Sequence, residues 1–184
     1  MASDRKRIAS GVSCVSRASR PMGGEMDRFV SHYQLRLDAK GRVSVPASFR
    51  AVLARDGFDG LYCYPALDRL ALDAGGQALL AEIEALIASF PPYSEQREQF
   101  SLALYGTSET LKIDNEGRVV LTDVHRAHAG IRDAVIFVGL GHKFQIWEPG
   151  RFRAELTEAT DKVRAFKAEL GNRTTAAKPL GARE

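Results

Sequence analysis

A twelve-residue motif occurs twice in this chain at a constant spacing of 76 residues. Leu35-Arg-Leu-Asp38-Ala-Lys40-Gly41-Arg42-Val43-Ser-Val-Pro46 aligns with Leu111-Lys112-Ile-Asp114-Asn-Glu116-Gly117-Arg118-Val119-Val-Leu-Thr122. Five of the twelve positions are identical, where composition alone gives roughly one. Arg50-Ala51 and Arg126-Ala127 extend the match. The spacing is too long for a solenoid unit. The chain therefore reads as a duplicated small domain.

Around each motif the sequence predicts strand, turn, strand and short helix. Phe29 to Leu37 reads as a strand, Asp38 to Gly41 as a turn and Arg42 to Val45 as the returning strand. Pro46 opens a helix to about Asp56, with proline at the first helical position. After the turn at Gly57–Gly60, Leu61 to Tyr64 forms another strand. Leu79, Leu80, Ile83, Leu86 and Ile87 fall on one face of a helix over 77–89, which Pro91-Pro92 stops. Ser94 caps a further helix carrying Phe100 and Leu104. The second copy ends in strands at about 134–138 and 144–147, joined by Gly139-Leu-Gly141. Phe152, Leu156, Val163, Phe166 and Leu170 then mark an amphipathic C-terminal helix. The expected organisation is a first small domain at 29–76, a helical connector at 77–106, a second domain at 107–150 and a helix at 151–170. A disordered tail is expected over 171–184. Residues 1–25 read either as a disordered leader or as the product of a start codon assigned too early, with Met26 the true start.

Composition narrows the function classes. With 45% hydrophobic and 27% charged residues, the 184-residue chain has material for a packed core. No apolar run approaches the ~20 residues of a membrane span, and Cys14 and Cys63 are too few for a disulfide scaffold. A soluble, cytosolic protein is expected. The net charge of +3 is unevenly spread. Arg5, Lys6, Arg7, Arg17 and Arg20 against Asp4 leave the first 24 residues at +4, so the rest of the chain is at −1. If the body binds nucleic acid, a few placed arginines must do it.

The repeated D-x-x-G-R turn has a mechanical reading. Its aspartate accepts hydrogen bonds from backbone N–H groups just ahead of it. Its glycine supplies a positive φ, giving a type I turn closed by a bulge. That geometry displays the next side chain, Arg42 or Arg118, at the root of a β-ribbon. A ribbon enters the major groove, where arginine paired with guanine O6 and N7 is the commonest specific contact. Arg36, Lys40, Lys112, Arg50 and Arg126 lie close in sequence and suit phosphate contacts. The plainer reading has Asp38 and Asp114 simply rigidify their turns by pairing with Arg42 and Arg118; the two readings are compatible.

Competing chemistry is thinly supported. Asp38 and Asp114 each have an arginine four residues on, which is unlike a proton-sharing carboxylate dyad. His125 and His128 have helical spacing but no further ligand cluster, so a surface or helix-packing role is expected and no metal. Asp114-Asn-Glu-Gly lacks the alternating ligands of a calcium loop, and Gly139-Leu-Gly141 reads as a hairpin turn. Cys63, Tyr62, Tyr64 and Trp147 read as core or subunit-contact residues. No nucleophile–base arrangement is discernible. The expectation is no enzyme, no cofactor and no small-molecule substrate.

Met26-Asp-Arg-Phe-Val-Ser, the run Leu37 to Arg50, Asp114-Asn-Glu-Gly-Arg118 and Phe144-Gln-Ile-Trp147-Glu together resemble the MraZ family of bacterial transcriptional regulators. The resemblance covers about Met26 to Leu156. It implies an α+β fold of two tandem AbrB-like swapped-hairpin β units with flanking helices, related by a pseudo-twofold axis. It implies a ring-shaped homo-oligomer in the cytoplasm, associated with the nucleoid. Its partner would be double-stranded promoter DNA, read at short G-rich repeats upstream of its own gene in the division and cell-wall cluster, with repression the expected outcome. The family's DxxxR motif carries over to Asp38 and Arg42 and to Asp114 and Arg118. Arg42 and Arg118 would read guanine edges, oriented by Asp38 and Asp114, with Gly41 and Gly117 permitting the turns. Lys40, Arg36 and Lys112 would hold phosphates. The second copy departs from the first at Glu116, which stands where Lys40 does, and at Thr122 in place of Pro46. A carboxylate beside Arg118 opposes phosphate, so the first turn is expected to carry more of the affinity. The alternative is an oligomeric protein-interaction module without DNA binding, assembled through the helices at 77–89 and 151–170.

Overall fold

A computed structural model of the chain describes residues 28–176, so the expected leader and the final eight residues lie outside the described range. The fold is mixed α+β, with eight strands and five helices among the described residues. The first copy supplies β1 (His32–Arg36), β2 (Arg42–Ser44), α1 (Ala47–Asp56), β3 (Leu61–Pro65) and β4 (Leu72–Gly75). Two helices follow, α2 (Gln77–Ala88) and α3 (Glu95–Leu104). The second copy supplies β5 (Glu109–Leu111), β6 (Arg118–Val120), α4 (Asp123–Ala129), β7 (Ala134–Gly139) and β8 (Phe144–Trp147), and α5 (Pro149–Ala176) closes the chain.

Within each copy only the later strands pair with each other, β3 with β4 and β7 with β8. Between β1 and β2, the expected hairpin is reduced to one backbone bond, Asp38 N–H to the Arg42 carbonyl at 2.9 Å. Instead β1 pairs antiparallel with β7, and β2 pairs with β6. Likewise β5 of the second copy pairs with β3 of the first. Alternation shows which face of a strand is buried and not which strand lies beside it, and here both outer strands cross over. The larger sheet has the order β1-β7-β8-β4-β3-β5. Exchange of equivalent elements (β1 for β5, β3 for β7, β4 for β8) leaves that order unchanged. The centre of exchange lies between Asp73 and Gln145, which are register partners in the β4–β8 pair. In the two-stranded ribbon it lies between Val43 and Val119.

The ribbon and the helices α1 and α4 cover one face of the large sheet. Val43, Val119, Phe49, Leu53, Phe137 and Phe144 are all buried in the core between them. Phe49 is its hub, with ring centroids at 5.3 Å from Phe29, 5.5 Å from Tyr33 and 5.0 Å from Phe144. The opposite face is covered by α2 and α3 over Tyr62 and Tyr64, and by the start of α5 over Ile136 and Trp147. At its centre Asp73 is buried in a polar network. Its carboxylate accepts from Gln145 Nε2 at 2.7 Å, from Lys143 Nζ at 2.8 Å and from the Tyr64 hydroxyl at 3.2 Å. Trp147 Nε1 donates to Gln145 Oε1 at 3.0 Å. A buried charge needs such partners.

Helix ends follow local chemistry with small corrections. Pro46 is the N-cap of α1 and not its first residue. Thr122, at the matching position, accepts from the His125 N–H and caps α4. Ser94 caps α3 as expected, accepting from the Arg97 N–H. Strand β1 starts only at His32, because Ser31 adopts φ 71° and leaves Phe29 in an isolated bridge to Gly141. The C-terminal helix starts earlier and runs further than expected, through Ala176 and not to 170.

Candidate nucleic-acid interface

Both repeated turns adopt the same hydrogen-bonded geometry. Asp38 Oδ1 accepts from the Lys40 and Arg42 N–H groups, each at 2.9 Å, and the Gly41 N–H closes onto the Asp38 carbonyl at 3.0 Å. Asp114 Oδ1 accepts from the Glu116 and Arg118 N–H groups, also at 2.9 Å, and the Gly117 N–H bonds the Asp114 carbonyl at 2.9 Å. Gly41 and Gly117 sit at φ 73° and 76°, the left-handed region where a Cβ is strained. The second carboxylate oxygen then reaches the arginine. Arg42 Nε donates to Asp38 Oδ2 at 2.6 Å, and Arg118 Nε to Asp114 Oδ2 at 3.0 Å. The backbone N–H of the arginine, with its guanidinium and the intervening N–H, holds each aspartate below the usual carboxylate range.

The ribbon fixes where these arginines point. In the β2–β6 register Arg42 faces Val120 and Ser44 faces Arg118, while Val43 and Val119 face the core. Alternation therefore puts Arg42, Ser44, Arg118 and Val120 on one outer face. Two residues of strand and one strand spacing separate the two arginine Cα atoms, which amounts to roughly 8 Å. The outer face thus carries two guanidiniums in fixed relation, each clamped by a carboxylate at its own turn.

The arginines of the helices are crossed between copies. An added Cβ at Gly117 would land on the Arg50 guanidinium, which comes from α1 of the first copy. At Gly41 the side chain nearest to an added Cβ is Arg126 of α4, whose Cζ would lie 3.8 Å away. Arg50 therefore belongs with the second turn and Arg126 with the first, the reverse of their sequence neighbourhoods. Arg126 is tied to Asp123. Lys40 is exposed within the first turn, while Arg36 ends β1 and Lys112 follows β5, at the two edges of the large sheet. The last two are not on the ribbon.

The two ends of the ribbon are unequal. Glu116 Oε2 lies 2.6 Å from Arg118 Nη1, so Arg118 is held by two carboxylates. Among the described residues Arg42 has one carboxylate partner, Asp38. Glu116 thus gives the second turn an ion pair that has no counterpart at Lys40 in the first.

The remaining candidates lie elsewhere. Trp147, Tyr62, Tyr64 and Cys63 are all buried in the packing, and burial pushes the Cys63 thiol far up. His125 is fully buried on α4, with neither ring nitrogen hydrogen-bonded, and burial lowers its pKa. His128 Nε2 instead contacts the Arg69 carbonyl at 3.2 Å. Among the described residues no group of three or more His, Cys, Asp or Glu is placed to hold a metal, and no helix is long and apolar enough to cross a membrane. Strand β4 and its Asp73 network were not anticipated. A lone aspartate inside Ala71-Leu72-Asp73-Ala74 was the available signal.

The profile of one protein family, described as "MraZ protein, putative antitoxin-like", matches residues 104–171. The chain is 66% identical over 148 residues to "Transcriptional regulator MraZ" of Xanthobacter autotrophicus, covering 80% of this chain and 94% of that protein. It is 60% identical over 164 residues to the protein of the same name from Beijerinckia indica subsp. indica, covering 86% and 100%. The protein of that name from Parvibaculum lavamentivorans is 41% identical over 157 residues, covering 85% and 98%.

Proposed function

The chain belongs to the MraZ family, and from that premise we propose that it is a DNA-binding regulator of transcription and not an enzyme. In this reading it binds double-stranded promoter DNA at short G-rich repeats upstream of its own gene and represses the division and cell-wall cluster. It acts on the nucleoid in the cytoplasm, as a ring-shaped homo-oligomer. Residues 29–76 and 107–150 are its two AbrB-like swapped-hairpin units, joined by the connector 77–106, and the exchange-invariant strand order supports that division.

One observation carries the reading: Arg42 and Arg118 share the outer face of a two-stranded ribbon, each gripped by its own aspartate. A ribbon fits the major groove, and a guanidinium already oriented through Nε loses less freedom when its fork meets guanine O6 and N7. A separation of roughly 8 Å spans about two to three base-pair steps, given the ~3.4 Å rise per step. Val120, half exposed beside Arg42, offers an apolar contact to a thymine methyl. Lys40, Arg36, Lys112, Arg50 and Arg126 supply phosphate contacts around it. Arg118 must first shed Glu116, so the first turn carries more of the affinity.

The test is binding of the chain from Met26 onward to DNA from upstream of its own gene and to scrambled DNA, across a salt series. Arg42→Ala is expected to cost about 1–3 kcal/mol on the specific DNA and to erase much of the preference. Lys40→Ala should weaken both DNAs alike and lower the salt slope by about 1. Equal, weak binding of the wild-type chain to both DNAs would overturn the regulator reading in favour of an assembly module.

A further inference from the structure

The C-terminal helix carries apolar side chains that its own body does not cover. Phe152, Leu156, Ala159, Val163 and Phe166 follow one another in alternating steps of four and three, which lines them along one face. Phe152 is buried against Trp147 and Ile136. Beyond it the helix leaves the body, and every residue from Leu156 to Leu170 is exposed. Val163 and Phe166 are 63% and 62% exposed. At 28 residues the helix is about 42 Å long, and an unbroken helix does not turn back on its own sheet.

The same molecule has a cleft of matching character. Between α2, α3 and the loop after β3 lies a cavity of about 560 Å³, with Leu67, Ile83, Leu86 and Phe100 among its walls. Leu67 and Leu86 stand 61% and 43% exposed at its mouth. Asp68, Asp73 and Glu82 line it against one cation, Lys143, which is paired with Asp73, and α2 carries Glu82 and Glu84 but no lysine or arginine. The stretch around Phe166 has the opposite balance, with Lys162, Arg164 and Lys167 against Asp161 and Glu169.

We propose that the outer part of α5 of one copy, led by Val163 and Phe166, seats in the α2–α3 cleft of a second copy. The inference rests on the reading that the chain assembles with its own copies, and it names the two surfaces. Because helix face and cleft are different patches, the contact is heterologous. Each docked pair keeps one helix and one cleft unfilled, so assembly proceeds until the chain of contacts closes.

Phe166→Glu and Leu86→Glu test this in the full chain by sedimentation velocity. Both substitutions are at positions exposed in the single chain, so each variant should keep the wild-type far-ultraviolet circular dichroism spectrum. Each alone is expected to sediment as a monomer, since a carboxylate would then have to be buried in the apolar part of the contact. Mixed in equal amounts they should form a heterodimer of about 40 kDa, because the helix of the Leu86 variant and the cleft of the Phe166 variant remain intact. Dissociation by Phe166→Glu alone, without restoration in the mixture, would mean that α5 pairs with α5 and would overturn the proposal. Full assembly of both variants would overturn it as well, while leaving self-assembly standing. A wild-type chain that stays monomeric would sink both; DNA binding, read separately on Arg42→Ala, is independent of all three outcomes.

Discussion

The two turn glycines offer a matched pair of substitutions with different consequences. Alanine at φ 73° or 76° costs about 1–2 kcal/mol in the folded state. The stiffer unfolded chain returns roughly 0.4–1 kcal/mol of that. At Gly41 the new Cβ meets the Leu121 carbonyl at 3.6 Å and Arg126 Cζ at 3.8 Å, both ordinary contacts. The net loss for Gly41→Ala is therefore about 1 kcal/mol, or roughly 2–4 °C in thermal midpoint for a chain of this size. At Gly117 the backbone cost is the same, but the Cβ occupies the place of the Arg50 guanidinium. That group is the far end of a flexible, exposed side chain, so it swings aside at little cost in stability. Thermal denaturation followed by circular dichroism should show the two variants within about 0.5 kcal/mol of each other. DNA binding, followed by fluorescence anisotropy, should separate them. Gly117→Ala loses what Arg50→Ala loses, and the double variant loses no more than either. Gly41→Ala keeps the Arg126 contribution. Additive losses for Gly117→Ala and Arg50→Ala would refute the crossed placement of the arginines. So would a Gly117→Ala destabilisation several kcal/mol larger than that of Gly41→Ala.

Two further outcomes follow from the same geometry. Glu116→Gln removes one of the two carboxylates on Arg118 and should tighten DNA binding and steepen its dependence on salt, measured by anisotropy; unchanged binding would mean that Arg118 takes no part. His125 is kept neutral by burial, with Glu109 opposing and His128 adding to the effect, so its folded pKa lies below the ordinary 6.5. Its contribution to stability is then complete above about pH 6.5 and is lost as pH falls through the lower folded value, with a slope no steeper than about 1.4 kcal/mol per pH unit. Urea denaturation between pH 7 and 5 should show a flatter profile for His125→Gln than for wild type.

What was legible in the sequence was local. The turn aspartates, the positive-φ glycines and the cap at Ser94 act within four residues, and the structure places them as their chemistry requires. The same holds for the aromatic core, since Tyr62, Tyr64 and Trp147 announce burial by their size. Partnership was not legible. Nothing in the alternation of Tyr33, Leu35 and Leu37 says that β1 lies on β7, about a hundred residues away. For the same reason the sequence does not show that Arg50 of the first copy lies at the second turn and Arg126 of the second copy at the first. Strand β4 was hidden because Asp73 breaks its apolar pattern, and it takes Tyr64 of β3, Gln145 of β8 and Lys143 just before β8 to make that charge tolerable. The C-terminal helix outran its expected end because Gly171 is a weak breaker inside an otherwise favourable run.

The fusion of the two copies in one chain gives the ribbon a direction. In an assembly of two identical short chains, every substitution on the ribbon would be present at both ends. Covalent linkage lifts that requirement, and Lys40 and Glu116 occupy equivalent places with opposite charge. The outer face therefore has a head, where Arg42 is held by one carboxylate, and a tail, where Arg118 is held by two. A symmetric surface docks equally well either way round. This one distinguishes the two orientations of whatever lies across it, so neighbouring copies in an assembly face a linear partner with a common sense of direction.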